Sequence, residues 1–527
     1  MSVLARSTRG MVTSPHALVS EAGRRVLAEG GNAIEAAITM AAAIAVAYPH
    51  FCGIGGDTIW LVSDAEGDVL ALTGIGQAAR DLPQFDAAIP TRGPGSALTT
   101  ACAVDSWAMA HDHSQSRWGG TRSFASLLEP AITLAADGIP LSASQAFWLD
   151  FRRHEVEGWH GFGNIFMPGG QPPITGETFR QPDLARSLEA IARHGAREFY
   201  EGELARRIAQ GLAEAGSPIT AADLAATRTR QEAPLSLDYR GLTLLAPPPP
   251  TQGITTLAIM GVLAELGFDG VEEGSAAYYH RLVEAVKQAF LDRGMIADPD
   301  FARVEIDRLL SPEQLAAKAR AIDPDHALAW PQPFRTGDTV YLAAMDAEGR
   351  GVSMLQSTYY DWGSGVVAGD TGIIWQNRGA AFSTDAASSN LIAPGKRPFY
   401  TLNPGMALRD GRPHILYGTQ GADGQPQTVA SILTRLIDYG MDPLEALSRP
   451  RFLLGRTFSD SRDSLKIEED VGEACVERLG QLRHEISVIP ASSPLSGQAG
   501  IIHRDARGTI TGAHDPRSDG CALGLES

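Results

Sequence analysis

The sequence predicts a mixed α and β fold built around buried strands, and three stretches carry that expectation. Ser20 to Ala47 (SEAGRRVLAEGGNAIEAAITMAAAIAVA) reads as two helices parted by Gly30-Gly31. Gly53 to Gly56 (GIGG) runs into Thr58 to Ser63 (TIWLVS), a glycine turn feeding a buried strand. Thr339 to Met345 (TVYLAAM) and Val352 to Tyr360 (VSMLQSTYY) are β-rich runs joined by the turn-like DAEGRG at 346–351, so a hairpin begins directly after Asp338.

Taken in chain order, the first helix pair is set by Asn32, a good N-cap for the alanine-rich second helix, whose small side chains let it lie close against a sheet. Ser123 to Ala233 is mostly helical by periodicity, with breaks expected at Pro140, Pro168 and Pro182. The four-proline run Pro247 to Pro250 predicts an extended, rigid surface segment. Helical pattern returns at Ser275 to Phe290 and Pro312 to Ala321. Asp323 to Thr336 (DPDHALAWPQPFRT), with three prolines and little periodicity, then reads as a linker. Beyond the hairpin, strands are expected near Gly372 to Trp375 and His414 to Gly418, and a helix at Gln427 to Tyr439.

Bulk properties narrow the function. The 527 residues can bury a large core, and length alone would suggest two to four domains. A formal charge of −18 repels phosphate backbones and anionic headgroups, which disfavours nucleic-acid and membrane-surface roles. Cys52, Cys102, Cys475 and Cys521 show neither zinc nor disulfide spacing, which fits a reducing compartment. Met1 to His16 lacks a secretory h-region, and the apolar stretch at Ile38 to Tyr48 is too short to span a bilayer, so a cytoplasmic protein is expected.

Several local motifs are weaker than they look. His111-Asp112-His113 and His154 with His160 have no third ligand at a fixed spacing, so no metal is expected. GIGG precedes a strand, whereas a dinucleotide loop follows one, so no nucleotide or other cofactor is implied. A GxSxG elbow is absent. The junction Gly337-Asp338-Thr339 is more informative, because it brings a threonine to the first position of a strand directly after a linker.

The sequence resembles the γ-glutamyltranspeptidase family from about Val12 to Gly524. The carriers are GGNAIEAAITMAAAIAVAYPHFCGIGGD at 30–57, LLEPAITLAADGIPLS at 127–142, GDTVYLAAMDAEGRGVSMLQSTYYDWGSGVVAGDTGIIWQNRGAAFS at 337–383, GKRPFYTLNPGMALRDGRP at 395–413 and DPRSDGCALG at 515–524. The resemblance implies a four-layer αββα sandwich of the N-terminal-nucleophile hydrolase type. It also implies a precursor that cleaves itself between Asp338 and Thr339, giving a large subunit of residues 1–338 and a small one of 339–527 that together form one structural domain. Attack of the Thr339 hydroxyl on the preceding carbonyl would make an ester, and its hydrolysis would free an α-amine of ordinary pKa about 7.7 to 8.0, a base for the same residue's hydroxyl.

Other roles carry over residue by residue. Ser357, where the family usually has a threonine, would steady Thr339. Gly421 and Ala422, in the paired-glycine position, would supply oxyanion N–H groups. Family members that bind a glutamyl group use an aspartate where this chain has Ala381 and a glutamine where it has Arg378; an arginine expected near Gly74 to Gly76 is missing, and a serine pair has become Tyr400-Thr401. Only twelve residues separate Ser383 from Lys396, so the aromatic lid loop of many transpeptidases is shortened. Arg378, Tyr400 and Thr401, with Asn377 and Tyr359, are the candidate substrate-binding residues.

A pocket that loses a partner for an ammonium and gains a guanidinium suits a small substrate that bears a carboxylate and no α-amine. Oxamate satisfies this, and the chain is similar to the oxamate amidohydrolase branch of the family, which makes oxalate and ammonia in purine (urate) breakdown. A γ-glutamyl hydrolase or transpeptidase acting on glutathione is the alternative enzyme, and a silent scaffold the alternative outside catalysis.

Overall fold

The computed structural model describes residues 3–330, 337–457 and 462–526. Two seven-stranded sheets stack face to face. One runs Cys521–Gly524, Gly10–Ser14, Asp338–Asp346, Gly351–Tyr359, Asp57–Ser63, Val69–Gly74, Arg230–Glu232. The other runs Ala5–Ser7, Ile510–His514, Ala499–Arg504, Arg412–Thr419, Gly405–Arg409, Leu242–Ala246, Leu235–Tyr239, and neighbours in both are antiparallel. Between the sheets lies a core that includes Ile59, Leu61, Tyr341, Leu355, Met406 and Leu416. Helices pack on the outer face of each sheet over two further cores, which makes the four-layer αββα sandwich of the N-terminal-nucleophile hydrolases. Both sheets combine strands from before and after Thr339.

Local chemistry explains the elements nearest the nucleophile. The Asn32 side chain accepts from the N–H groups of Ile34 and Glu35, while Glu35 reaches back to the Asn32 N–H at 2.9 Å. The helix that follows, Ala33–Ala47, is buried on every face, which its small residues permit against the strands of the hairpin. Asp338–Asp346 and Gly351–Tyr359 form the expected hairpin, held on one flank by Gly10–Ser14 and on the other by Asp57–Ser63. The GIGG turn lies so close to its neighbours that a Cβ on Gly55 or Gly56 would come within 2.2 Å of the Ile374 or Ser357 carbonyl oxygen.

Three expectations need correction. Pro247 to Pro250 is largely buried, because its last carbonyl accepts from the Tyr400 N–H at 2.8 Å and Thr251 bridges to Tyr400. Pro182 opens the helix Pro182–His194 at a position where its missing N–H costs nothing. Gly372 to Trp375 makes only isolated bridges, from Ile374 to Val367 and from Trp375 to Gly55. The linker's first half is tied down: His280 meets the Asp323 carbonyl at 2.8 Å, Glu284 accepts from the Leu328 N–H at 3.0 Å, and Ala327 donates to Leu482 at 2.8 Å. Its second half, 331–336, lies outside the described residues.

Candidate active site

The nucleophile strand carries an irregularity where the chemistry is expected. Asp338 pairs with Tyr359 and Val340 with Gln356, so Thr339 sits opposite both Ser357 and Thr358 in a bulge. Bulges re-aim side chains, and here the hydroxyls of Thr339 and Ser357 both come within 2.6 Å of the Asp338 carbonyl oxygen. Ser357 is oriented in turn by the Tyr359 N–H, which donates to its oxygen at 2.7 Å and leaves its proton for the carbonyl. Thr339 is only 2% exposed, so this exchange is shielded from water.

Asp338 itself is buried, and burial holds its carboxyl far above the usual range; Asp361 adds to the rise, while Arg152 and Arg92 oppose it. Asp361 is gripped by Arg152 at 2.7 Å and by Arg92 at 2.9 Å. Sequence reasoning passed over this trio because its members lie far apart in the chain.

Gly421 and Ala422 end the run from strand Arg412–Thr419 and lead into the helix Gln425–Ile437. Both have left-handed backbones, φ 119° and 44°, and the second is a strained conformation for alanine, of the kind kept at functional turns. The Ala422 methyl lies 3.0 Å and the Tyr359 carbonyl oxygen 3.1 Å from where a Cβ on Gly337 would stand, so the segment before the scissile bond fills the space between them. Gln252 bridges the carbonyls of Thr401 and Ala422 at 2.6 and 2.7 Å, and Arg293 donates to Gln252 at 3.1 Å while pairing with Asp423.

Arg378 is 0% exposed. Its guanidinium is stacked between the rings of Tyr359 and Tyr400, each 3.9 Å away, and one nitrogen donates to the Thr401 hydroxyl at 3.1 Å. Its Nε and Nη2 make no hydrogen bond to any of the described residues. Asp385, the carboxylate nearest in sequence, is on the surface and accepts from the Ala387 N–H instead. Tyr400 donates to Asp57 at 2.7 Å, and Asp57 also accepts from the N–H groups of Gly76 and Cys102 at 3.0 and 2.8 Å. Burial pushes the Asp57 carboxyl up to about 6 despite these bonds. Asp57 had a signal, an acid opening an otherwise apolar strand after GIGG.

Asn377 lies beside Arg378, with its carboxamide engaged by backbone on both sides: the Tyr360 N–H at 3.1 Å and the Thr91 carbonyl at 2.8 Å. The candidate metal histidines lie elsewhere; His111, for one, faces the Arg122 carbonyl at 2.8 Å. A different trio, His280, Glu284 and His484, brings ligand atoms within 4.8 Å, but Lys287 already occupies Glu284 at 2.8 Å.

A family model described as Gamma-glutamyltranspeptidase matches residues 19–525. The chain is 45% identical to an oxamate amidohydrolase proenzyme of Klebsiella pneumoniae, over 98% of this chain and 99% of that one. It is 42% identical to a glutathione hydrolase-like YwrD proenzyme of Bacillus subtilis, again over 98% and 99%. Among solved structures, a cephalosporin acylase from Bacillus halodurans superposes with a TM-score of 0.92 at 32% identity, covering 100% of this chain and 97% of that one. Relatives of these kinds hydrolyse amide C–N bonds.

Proposed function

The chain belongs to the γ-glutamyltranspeptidase family, and from that premise we propose that it is a self-processing amidohydrolase that converts oxamate to oxalate and ammonia. In the precursor, Thr339 Oγ1 attacks the Asp338 carbonyl carbon while the Ser357 hydroxyl holds the carbonyl oxygen. The Thr339 nitrogen leaves, and water hydrolyses the resulting ester to give residues 1–338 and 339–527. In the processed enzyme the new α-amine takes the proton of the Thr339 hydroxyl, and the N–H groups of Gly421 and Ala422 receive the oxyanion. Asn377 positions the Arg378 turn through its two backbone contacts.

The observation that carries the substrate is the Arg378 fork. Nε and Nη2 are the nitrogens with which Arg24 and Arg517 grip Glu21 and Glu468 in this same molecule. In Arg378 the same pair makes no hydrogen bond among the described residues, and a carboxylate next to the reacting amide would complete it. A glutamyl α-amine would lack its expected partner, because Ala381 stands where the aspartate would be and Asp57 is engaged by Tyr400, Gly76 and Cys102. A cytoplasmic place in purine breakdown belongs to the same proposal. Ammonia release by the processed protein from oxamate and glutamine, and glutamate release from glutathione, test it: oxamate should be the best substrate by at least roughly tenfold, since a lost charged partner is worth about 1.5 to 3 kcal/mol. Faster release from glutamine or glutathione would overturn the reading.

A further inference from the structure

Oxamate is far too small for the space that adjoins the scissile bond. A cavity of about 650 Å³ opens there, with Gly337, Asp338 and Gly421 among its lining residues. The helix Ala143–Arg152 lines it with Phe147, Trp148 and Phe151. The three rings lie 5.4 to 6.0 Å apart, and Trp148 meets Phe51 edge-on at 5.6 Å. Phe147 is 57% and Phe151 41% exposed, an unusual display of aromatic surface unless something covers it.

Asp338 Oδ2 has no hydrogen-bond partner among the described residues, and burial raises its carboxyl above the usual range; the other charged groups along the walls are paired. Arg517 pairs with Glu468 and Asp515, Asp519 accepts from Tyr48 at 3.2 Å and Ser144 at 3.3 Å, and Arg456 meets Asp463 at 2.9 Å. An apolar group is therefore the occupant that suits the walls. Arg378, Tyr400 and Thr401 are not among the lining residues, so the acyl clamp and this cavity are separate compartments that adjoin the same reacting bond.

We propose that the aromatic cavity is the leaving-amine site, and that the enzyme hydrolyses oxamates whose amide nitrogen carries an aryl or other apolar group. This rests on the oxamate reading for the acyl half only. The reaction balances as simple hydrolysis: Thr339 Oγ1 bonds to the amide carbon, the C–N bond breaks, and the amine leaves with the proton taken from the hydroxyl. Water then cleaves the ester to oxalate and restores Thr339.

N-(1-naphthyl)oxamate tests it, because the released naphthylamine is fluorescent and the free amine can be titrated by itself. The processed enzyme should turn over the naphthyl amide with kcat/KM at least tenfold above that for oxamate, and Phe147→Asp, a change at an exposed position, should lower that ratio at least tenfold, chiefly through the naphthyl KM. Naphthylamine should bind the wild type saturably and the variant at least tenfold more weakly. Oxamate hydrolysis without naphthyl amide hydrolysis, an unmoved ratio, or equal amine binding by both proteins would overturn the proposal. Amine binding that Phe147→Asp weakens, with neither oxamate cleaved, would support the cavity and overturn the oxamate reading instead.

Discussion

Arg378 and Arg517 are both buried guanidinium groups, and they are satisfied in opposite ways. Arg517 meets Glu468 through Nε at 2.8 Å and Nη2 at 2.5 Å, and reaches Asp515 at 3.2 Å; Asp515 also pairs with buried Arg451 at 2.6 Å. Arg378, equally hidden, has two tyrosine rings and one hydroxyl, with no carboxylate within ion-pair distance among the described residues; Asp57, behind Tyr400, is the charge that acts on it. At Arg517 the fold supplies the counter-charge its own architecture needs; at Arg378 the proposed partner is the substrate carboxylate. The first arrangement locks the turns before strand Phe452–Gly455 and after strand Ile510–His514, and the second stacks on Tyr359, which pairs with Asp338.

The comparison can be broken in several ways. The largest effect should come from removing the nucleophile that the Arg378 region serves. Thr339→Ala should leave one uncut band on a denaturing gel and no amidase activity, and cutting at the same bond in this variant would contradict the role given to the hydroxyl. Thr339→Ser should retain part of both functions, with the freed χ1 slowing each.

Next in size is the structural arginine. In the uncut Thr339→Ala background, Arg517→Ala should lower stability by about 3 to 5 kcal/mol, because it leaves Glu468 and Asp515 buried with too little positive charge. Arg378→Gln in the same background should change it by less than about 2 kcal/mol, since it loses ring stacking and no ion pair. Denaturant midpoints compare the two directly, and equal losses would show that Arg378 is structural too.

A smaller effect comes from Asp57, which holds the ring over Arg378. Its carboxyl rises from 3.8 in the unfolded chain to about 6 in the folded one, so the unfolded state ionises first as pH increases. Below pH about 4 both states are protonated; between about 4 and 7 the folded state should lose up to about 3 kcal/mol relative to an Asp57→Asn variant that does not titrate. A stability difference between the two proteins that stays flat across that window would show that Asp57 is ionised throughout. Smallest of all, Asp338→Asn should leave processing within about threefold, because burial favours the neutral acid at Asp338 and the amide resembles it.

What was legible in the sequence was what local chemistry dictates. The capping box at Asn32, the hairpin after Asp338 and the αββα architecture implied by the family motifs all appear in the structure. The proline run was misplaced because composition alone cannot tell an extended surface segment from one laid beneath Tyr400. Thr339, Ser357 and Arg378 could be proposed as site residues from short motifs, and the structure brings the first two onto one carbonyl oxygen. Asp57, Gln252 and the Asp361 cluster could not be given their places, because their contacts join residues hundreds of positions apart, such as Asp57 with Tyr400.

The clamp role of Arg378 is tested most directly by assaying Arg378→Gln on oxamate and on a neutral amide of similar size. Processing at Thr339 should proceed normally, because autocleavage uses the chain's own carbonyl. For oxamate, kcat/KM should fall by roughly 10²-fold or more, while the neutral amide is barely affected, because only the charged substrate loses a desolvated, charge-assisted contact. Equal losses on both substrates, or no loss on either, would show that the guanidinium between Tyr359 and Tyr400 does not bind the substrate carboxylate.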